Sequence, residues 1–584
     1  MERENKYSSV GHSISRVDAR AKVTGRAVYA ADIWRRDMLY AKMLHSPHAH
    51  ANIISINTEA AKALPGVEAV LTYKDVPQIY FTSCGHPHPP DTPEDTLILS
   101  QRLRYVGEAV AAVAATTPEI AQAALDLIEV EYEVLPAYYT PQDALAEGAV
   151  EIHEGSRNIC GESEYEIGDV DAAFARADYI VTDEFRTPIV THTPIEPHAS
   201  MVEIDSNGRI IIYTGTQVPT ILRERTAKAL GKKIRDVRVI RATVGGAFGG
   251  KQEPVFEILN AALAVATERP VKLELTREEC ITCTRTRHGA HYRLRTGIDK
   301  DGKILARELV GFNNGGAYAS HGHNVMLSAG AQFCLLYPTD NLRFKGKTVY
   351  TNIPIAGAFR AYGIPQYAFA MESHVDNLAH RVGKDPLEYR KENMFRKDSP
   401  IHAPYFSINT FGLPDIVKKC EEEIDYAGFR RQPQTEGPVK RGIGMAILSY
   451  GQSCFPWSVE LSGARVMVNE DGSATLFVGS AEIGQGSDTV MQQIAAETLG
   501  IPPNWINVVS NDTDVCPFDT GAFASRQTYV TGRAVKKAAQ ACKDQILDYV
   551  SEAYNWERLR LDIRDGNVID KRDNIILDPL ETVT

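Results

Sequence analysis

The residues best placed to do chemistry are Gly245–Gln252, which read Gly-Gly-Ala-Phe-Gly-Gly-Lys-Gln. Four glycines in six positions, 245 to 250, let backbone N–H groups close on an anion with no Cβ in the way. The strand-like run Val237–Val244 precedes the loop. After it, Pro254 and the apolar spacing Phe256, Leu259, Ala262, Leu263, Val265 predict a helix whose positive end faces the same loop. Such a segment serves either as a phosphate or oxyanion cradle or as a plain turn between strand and helix. It follows the P-loop spacing as far as Lys251. Gln252 then stands where nucleotide chemistry needs a hydroxyl on the metal, which argues against an NTPase.

Two later stretches share this grammar. Glu482–Thr489 reads Glu-Ile-Gly-Gln-Gly-Ser-Asp-Thr, with Ser487 as the expected cap of a helix carrying Val490, Ile494 and Leu499 and stopping at Gly500. Asp519–Gln527 is small and polar and leads into a long helix expected near Arg533–Tyr549. Each is an anion cradle or simply a capped helix.

The elements that must position these loops are legible in part. Val67–Thr72 reads as a strand. Glu108–Ala114 is a strand, Thr117 caps a helix opened by Pro118, and Ile128–Val134 returns as an alternating strand. The Pro-rich His86–Asp91 reads as a loop, and a helix is expected over Val170–Ala177. Strands are expected at Ile210–Tyr213, Val271–Thr276, Tyr292–Thr296 and Lys303–Val310, the last two joined by a turn at Asp299–Gly302. Lys391–Glu436 turns polar and partly helical. Lys440–Leu448 should open a new strand-rich segment, and Asp471-Gly472 supplies the turn of a hairpin between Ala464–Asn469 and Ala474–Val478.

Composition narrows the function classes. The chain has 584 residues, 63 Lys plus Arg against 75 Asp plus Glu, and a net charge of −12, the wrong sign for general nucleic-acid affinity. Hydrophobic residues make up 43%, enough for several buried cores. The N-terminus lacks the apolar run of a signal peptide and no stretch reaches the ~18 apolar residues of a membrane span, so the expected location is the cytoplasm. Nine scattered cysteines do not form a disulfide framework; most should be buried thiols. Cys280-x-x-Cys283 is the one close pair, a weak signal for zinc or an iron–sulfur cluster.

Taken together, Gly245–Gln252, Gly357–Gln366 (Gly-Ala-Phe-Arg-Ala-Tyr-Gly-Ile-Pro-Gln), Gly484-Gln485-Gly486 and Gly521–Gln527 resemble, in order and spacing, the molybdenum-binding subunit of the xanthine dehydrogenase family. The likeness runs from about residue 15 to residue 584. Ala317–His323 and Pro517–Gln527 look like the bacterial branch with separate subunits. The resemblance implies an α+β fold: a hammerhead α/β domain over 15–140, a first molybdopterin-binding domain over 141–395 and a second over 396–584, with mixed sheets and flanking helices.

It also implies molybdenum held by a pterin, in bacteria usually carrying a cytosine dinucleotide. Gln217 matches the glutamine beside a molybdenum oxygen, Phe248 and Gly249 the loop that brings backbone to the metal's ligands, and Arg360, between Phe359 and Ala361, the segment passing the metal. Gln217, Phe248 and Arg360 would thus surround the metal without ligating it. Tyr362 takes the place of an aromatic that packs on a flat heterocycle. Gly246, Gly484, Gln485, Gly486, Ala522, Phe523, Ala524 and Ser525 match the pterin-binding positions. Gln252, Arg360 and Tyr362 form the expected catalytic set. The implied reaction is hydroxylation of xanthine, hypoxanthine or a similar purine with water as oxygen source, electrons leaving through iron–sulfur and FAD partner subunits in a hetero-oligomer. Another N-heterocycle, an aldehyde, or a non-catalytic cofactor-binding role are the alternatives.

Two departures stand out. Gln252 replaces the glutamate that animal enzymes use on purines, and their substrate-facing arginine aligns near Ser328. No Gly-Glu-Pro-Pro segment carries the family's base glutamate. The expectation is therefore a chain lacking its C-terminal part, with the base supplied by another polypeptide or a separate C-terminal fragment.

Overall fold

The computed structural model describes residues 7–86, 92–400, 402, 410–432, 437–453 and 459–584. Most of the expected His86–Asp91 loop, residues 87–91, lies outside them, as does Glu436.

A seven-stranded sheet joins the N-terminal region to the middle of the chain. Its order is Val237–Arg241, Ile210–Thr214, Ala199–Ile204, Val271–Glu274, Leu39–His45, Ala109–Ala115 and Val67–Thr72. Leu39–His45 pairs in parallel with Val271–Glu274, so one ladder runs across residue 140. The helix Glu257–Thr267 lays Leu259, Ala262 and Leu263 on this sheet, as its apolar spacing dictates. Thr117 caps the helix Pro118–Leu125 by accepting the Ile120 N–H at 3.2 Å.

A second sheet has the order Ile159–Ile167, Leu342–Tyr350, Ile304–Gly316, Gly289–Ile298 and Tyr179–Thr187. The helices Asn324–Phe333 and Ile364–Arg381 bury Met326, Phe333, Tyr367, Met371 and Val375 against it. The third layer is the predicted hairpin, Ala464–Val468 with Ala474–Val478, extended by Ile506–Val509 and covered by the helices Ser487–Leu499 and Gln527–Tyr554. An N-terminal strap crosses the whole molecule to reach it: Ser9 N–H donates to Glu497 Oε2 at 2.7 Å and Arg16 Nη1 donates to the Gly484 carbonyl at 2.9 Å.

One expected segment is not a strand. Among the described residues 437–453 there is no ladder. The backbone there is held by side chains instead: Ile447 N–H donates to Glu372 Oε2 at 2.9 Å and the Ser449 hydroxyl bonds Gln332. Among the described residues, no helix is long and apolar enough to cross a membrane.

Candidate functional site

The strand Val237–Arg241 delivers the glycine loop, and the loop is fixed from behind by one carboxylate. Gly245 N–H donates to Glu196 Oε2 at 2.7 Å, and buried Lys251 Nζ meets the same oxygen at 2.6 Å. Lys251 is thus neutralised inside the protein and is no phosphate-binding lysine. Contrary to the expectation from the sequence, the following helix does not point an open end at the loop. Its first-turn Glu257 accepts the N–H groups of Val255 and Phe256 at 2.8 and 3.2 Å, closing that end.

Gln217 ties the loop to two other segments. Its Oε1 accepts the Gly249 N–H at 2.9 Å, its Nε2 donates to the Ala522 carbonyl at 2.7 Å, and its own carbonyl accepts the Ala522 N–H at 2.9 Å. Gly249 has φ +105°, and a Cβ there would lie 2.5 Å from the Ala358 carbonyl oxygen, so only glycine fits. That close approach lets Arg360 N–H reach the Phe248 carbonyl at 2.9 Å. The neighbouring Phe359 stacks on His192 with ring centres 4.1 Å apart.

These segments enclose a cavity of about 690 Å³. It brings together Gln217, Phe248, Gly249, Gln252, Arg360, Tyr362, Gln485, Ala522, Phe523, Ala524 and Ser525. Gly246, Gly484 and Gly486 do not line it; they have φ of +109°, +112° and +89° and shape its walls. Sixteen described non-glycine residues adopt left-handed backbone, and six of them, Phe248, Ala361, Tyr362, Ser453, Ala524 and Ser525, line this cavity. Each costs of order 1–3 kcal/mol and persists only where the surroundings impose it.

The cavity also gathers residues that sequence reasoning did not single out, chiefly His86, Asn324, Gln332, Tyr450 and Gln527. Nothing in their spacing marks them, because four separate segments contribute them. Amides dominate the polar wall. Arg526, though it lines the cavity, is buried and spent on Asp519 Oδ1 at 2.9 Å and Glu460 Oε2 at 2.7 Å. Arg360 is exposed, and its guanidinium has no ion-pair partner among the described residues. Burial and the neighbouring His321 pull His86 down to about 3, and burial beside His288 does the same to His321, so both imidazoles are neutral near pH 7. His321 Nδ1 lies 2.9 Å from the Tyr362 hydroxyl.

The second glycine stretch is built differently. Gly486, not Ser487, caps the helix Ser487–Leu499, and the Glu482 carboxylate takes the amides that the sequence left open. It accepts the N–H groups of Gly484 at 2.7 Å, Gly486 at 3.1 Å and Asp488 at 3.2 Å. Gln485 is likewise engaged, accepting from Ile483 N–H at 2.7 Å and donating to the Ala481 carbonyl at 2.9 Å. In the third stretch the helix begins at Gln527, six residues before expectation, and Asp519 Oδ1 accepts the Gly521 N–H at 2.7 Å.

Of the cysteines, Cys84, Cys280, Cys283 and Cys334 are buried and Cys420 is exposed. Cys280 Sγ lies 3.7 Å from His198 Nδ1 and Cys283 Sγ donates to the Glu279 carbonyl. Among the described residues no group of three or more His, Cys, Asp or Glu is placed to hold a metal ion.

Comparison with known proteins agrees with this architecture. Models of a molybdopterin cofactor-binding domain match residues 152–394 and 419–583, and a model of the aldehyde oxidase and xanthine dehydrogenase a/b hammerhead domain matches 24–136. A putative xanthine dehydrogenase molybdenum-binding subunit of Escherichia coli K12 is 40% identical over 561 residues, covering 95% of this chain and 74% of the relative. The nicotinate dehydrogenase large molybdopterin subunit of Eubacterium barkeri is 36% identical, covering 73% of this chain and 99% of the relative. Among solved structures, the aldehyde oxidoreductase of Desulfovibrio gigas superimposes with a TM-score of 0.84 at 29% identity, over 93% of this chain and 61% of that one.

Proposed function

The chain belongs to the xanthine dehydrogenase family as a molybdenum-binding subunit of a xanthine dehydrogenase/aldehyde oxidoreductase-type hydroxylase, and from that premise we propose that it forms the active site of an enzyme oxidising xanthine, hypoxanthine or a similar purine. The observation that carries the proposal is the single cavity joining Gln217, Phe248, Gly249, Arg360, Tyr362 and residues 522–525.

The residues present fit a molybdenum-bearing pterin. Gln217 spends one of its two amide protons on Ala522 and keeps the other for a ligand oxygen. The buried Nδ1 of His86 has no partner among the described residues, and the amide of Gln252, 4% exposed, lines the same wall, which marks it as built for a polar guest. When bound, the cofactor supplies the two-electron redox chemistry and the oxygen atom's activation.

The protein's own part is positioning. Gly246, Phe248 and Gly249 hold the first loop; Gly484, Gln485 and Gly486 hold the second; Ala522, Phe523, Ala524 and Ser525 close the third side. Gln217 locks the first and third together, so the cofactor would enter a wall already shaped. Tyr362, its hydroxyl on His321, offers a flat face to a heterocycle, and Arg360 and Gln252 supply polar contacts at its edge. The uncharged Gln252 also favours a second reading, in which another N-heterocycle replaces the purine.

The finer picture has a cytosine dinucleotide on the pterin, a cytoplasmic hetero-oligomer, and electrons passing to iron–sulfur and FAD subunits; family membership supports it. The test is dye reduction by the purified complex with xanthine, hypoxanthine, nicotinate and an aldehyde. Purine turnover with the highest kcat/KM is the expected result. Turnover of the aldehyde alone would contradict the purine reading.

A further inference from the structure

The cavity has one wall that comes from the N-terminal domain. His86 reaches it from the chain just after Gly85, and this segment is packed too tightly to be incidental. A Cβ on Gly85 would lie 1.7 Å from the Gln252 carbonyl oxygen and 3.3 Å from Gln252 Cγ, so the two segments touch backbone to backbone. The His86 carbonyl accepts from Arg225 Nη2 at 3.0 Å. Its ring is wedged edge-on between His321 and Phe523, with centres 4.9 and 4.8 Å away.

All this order surrounds an unmet polar group. His86 is 7% exposed, and its Nδ1 is buried with no hydrogen-bond partner among the described residues. Gln252, 4% exposed, packs its Cγ against the same segment. A buried polar group left without a partner costs about 1–3 kcal/mol. On a cavity wall that also carries the Gln252 amide, such a group is accounted for by a polar ligand that pairs with it. The chemistry of that ligand follows from the pair. An imidazole with one N–H and one bare nitrogen, next to an amide, presents a donor and an acceptor and no net charge. Among the described residues, no Asp or Glu lines the cavity. A ring N–H beside a C=O satisfies such a pair; a carboxylate offers acceptors only.

We infer that His86 is a specificity-determining residue of this site, acting with Gln252 to read the adjacent N–H and C=O of a lactam-type N-heterocycle. The inference rests on the cavity being the substrate site. It adds a residue from the N-terminal domain to a site otherwise made by the later segments.

The test compares the assembled complex carrying wild-type chain, His86→Phe, His86→Asn and His86→Gln, each checked for unchanged thermal midpoint and molybdenum content. The Phe variant fills the ring's space without its nitrogens; Asn and Gln return an amide near Nδ1 or Nε2. Equilibrium binding of hypoxanthine, of purine, which lacks the C=O, and of nicotinate is measured by calorimetry, alongside kcat and KM. His86→Phe should weaken hypoxanthine about tenfold, the loss of one buried hydrogen bond, leave purine within about twofold, and raise KM more than it lowers kcat. Asn or Gln should recover part of the loss. Unchanged hypoxanthine affinity in a folded His86→Phe complex would overturn the inference, as would equal loss for hypoxanthine and purine, or a loss of nicotinate affinity as large as that of hypoxanthine. Wild-type binding of hypoxanthine without turnover would instead leave the inference standing and refute the proposed purine oxidation.

Discussion

The loops at 245–252 and 482–489 are written in the same letters, glycines before a helix, and the folded chain treats them in opposite ways. At the second loop Glu482 accepts three backbone N–H groups, so the chain supplies its own anion. At the first, the internal carboxylates Glu196 and Glu257 are spent on the back of the loop and on the helix end. The front, where Gln252 and left-handed Phe248 lie, faces a cavity with the buried His86 Nδ1 unpaired. The lesson is that glycines and a helix N-terminus make a cradle, but a site is marked by what stays unsatisfied and by strained backbone that side chains elsewhere hold in place.

The comparison breaks most severely if the cavity's third side is not held by its buried ion pair. Arg526→Ala leaves Asp519 and Glu460 without their cation, and the expected loss is about 3–5 kcal/mol in chemical denaturation, together with loss of bound cofactor. Retained stability would mean residues 519–526 do not depend on that pair.

Acidity separates the two regions next. Asp488, on the Glu482 loop, is pushed up to about 6 by burial, opposed by Arg241 and reinforced by Glu482. The folded state therefore holds this proton more tightly than the unfolded chain does. The contribution of this carboxyl to stability, read as the difference between wild type and Asp488→Asn, should fall as pH rises from near 4 to near 6, by at most about 3 kcal/mol, and be flat above. Urea midpoints of the two proteins across pH measure that difference. The imidazoles of the cavity act with the opposite sign: neutral when folded and protonated in the unfolded chain at acid pH, they add stability as pH rises toward 7.

Smaller still is the effect of emptying the second cradle. Glu482→Ala strands three amides and should cost about 1–3 kcal/mol. If the loops differ only in who supplies the anion, sulfate should raise the thermal midpoint of Glu482→Ala more than that of the wild type. Equal shifts would show that the carboxylate is not standing in for an anion.

How much of this was legible in the sequence depended on whether the information was local. The Thr117 cap, the hairpin at Asp471-Gly472 and the strand Val67–Thr72 are set by neighbours in the chain, and the structure has them where the spacing puts them. The loop motifs also led to most of the cavity's residues. What periodicity could not convey was which side chain would reach back: Glu482 displacing Ser487 as the partner of the loop amides, Glu372 holding Ile447 where a strand was expected, and His86 arriving from a different domain. The last two join residues far apart in the chain and leave no period to read, while Glu482 is local but its carboxylate competes with Ser487 for the same amides, which spacing alone does not decide.

The central claim is tested most directly by molybdenum and pterin content per chain in the wild type, Gln217→Ala and Glu482→Gln. The account predicts about one molybdenum per chain in the wild type and in Glu482→Gln, because the carboxamide keeps an acceptor for the loop, and a large loss in Gln217→Ala, because that amide joins two walls of the cavity. Equal content in all three proteins, or loss confined to Glu482→Gln, would contradict it.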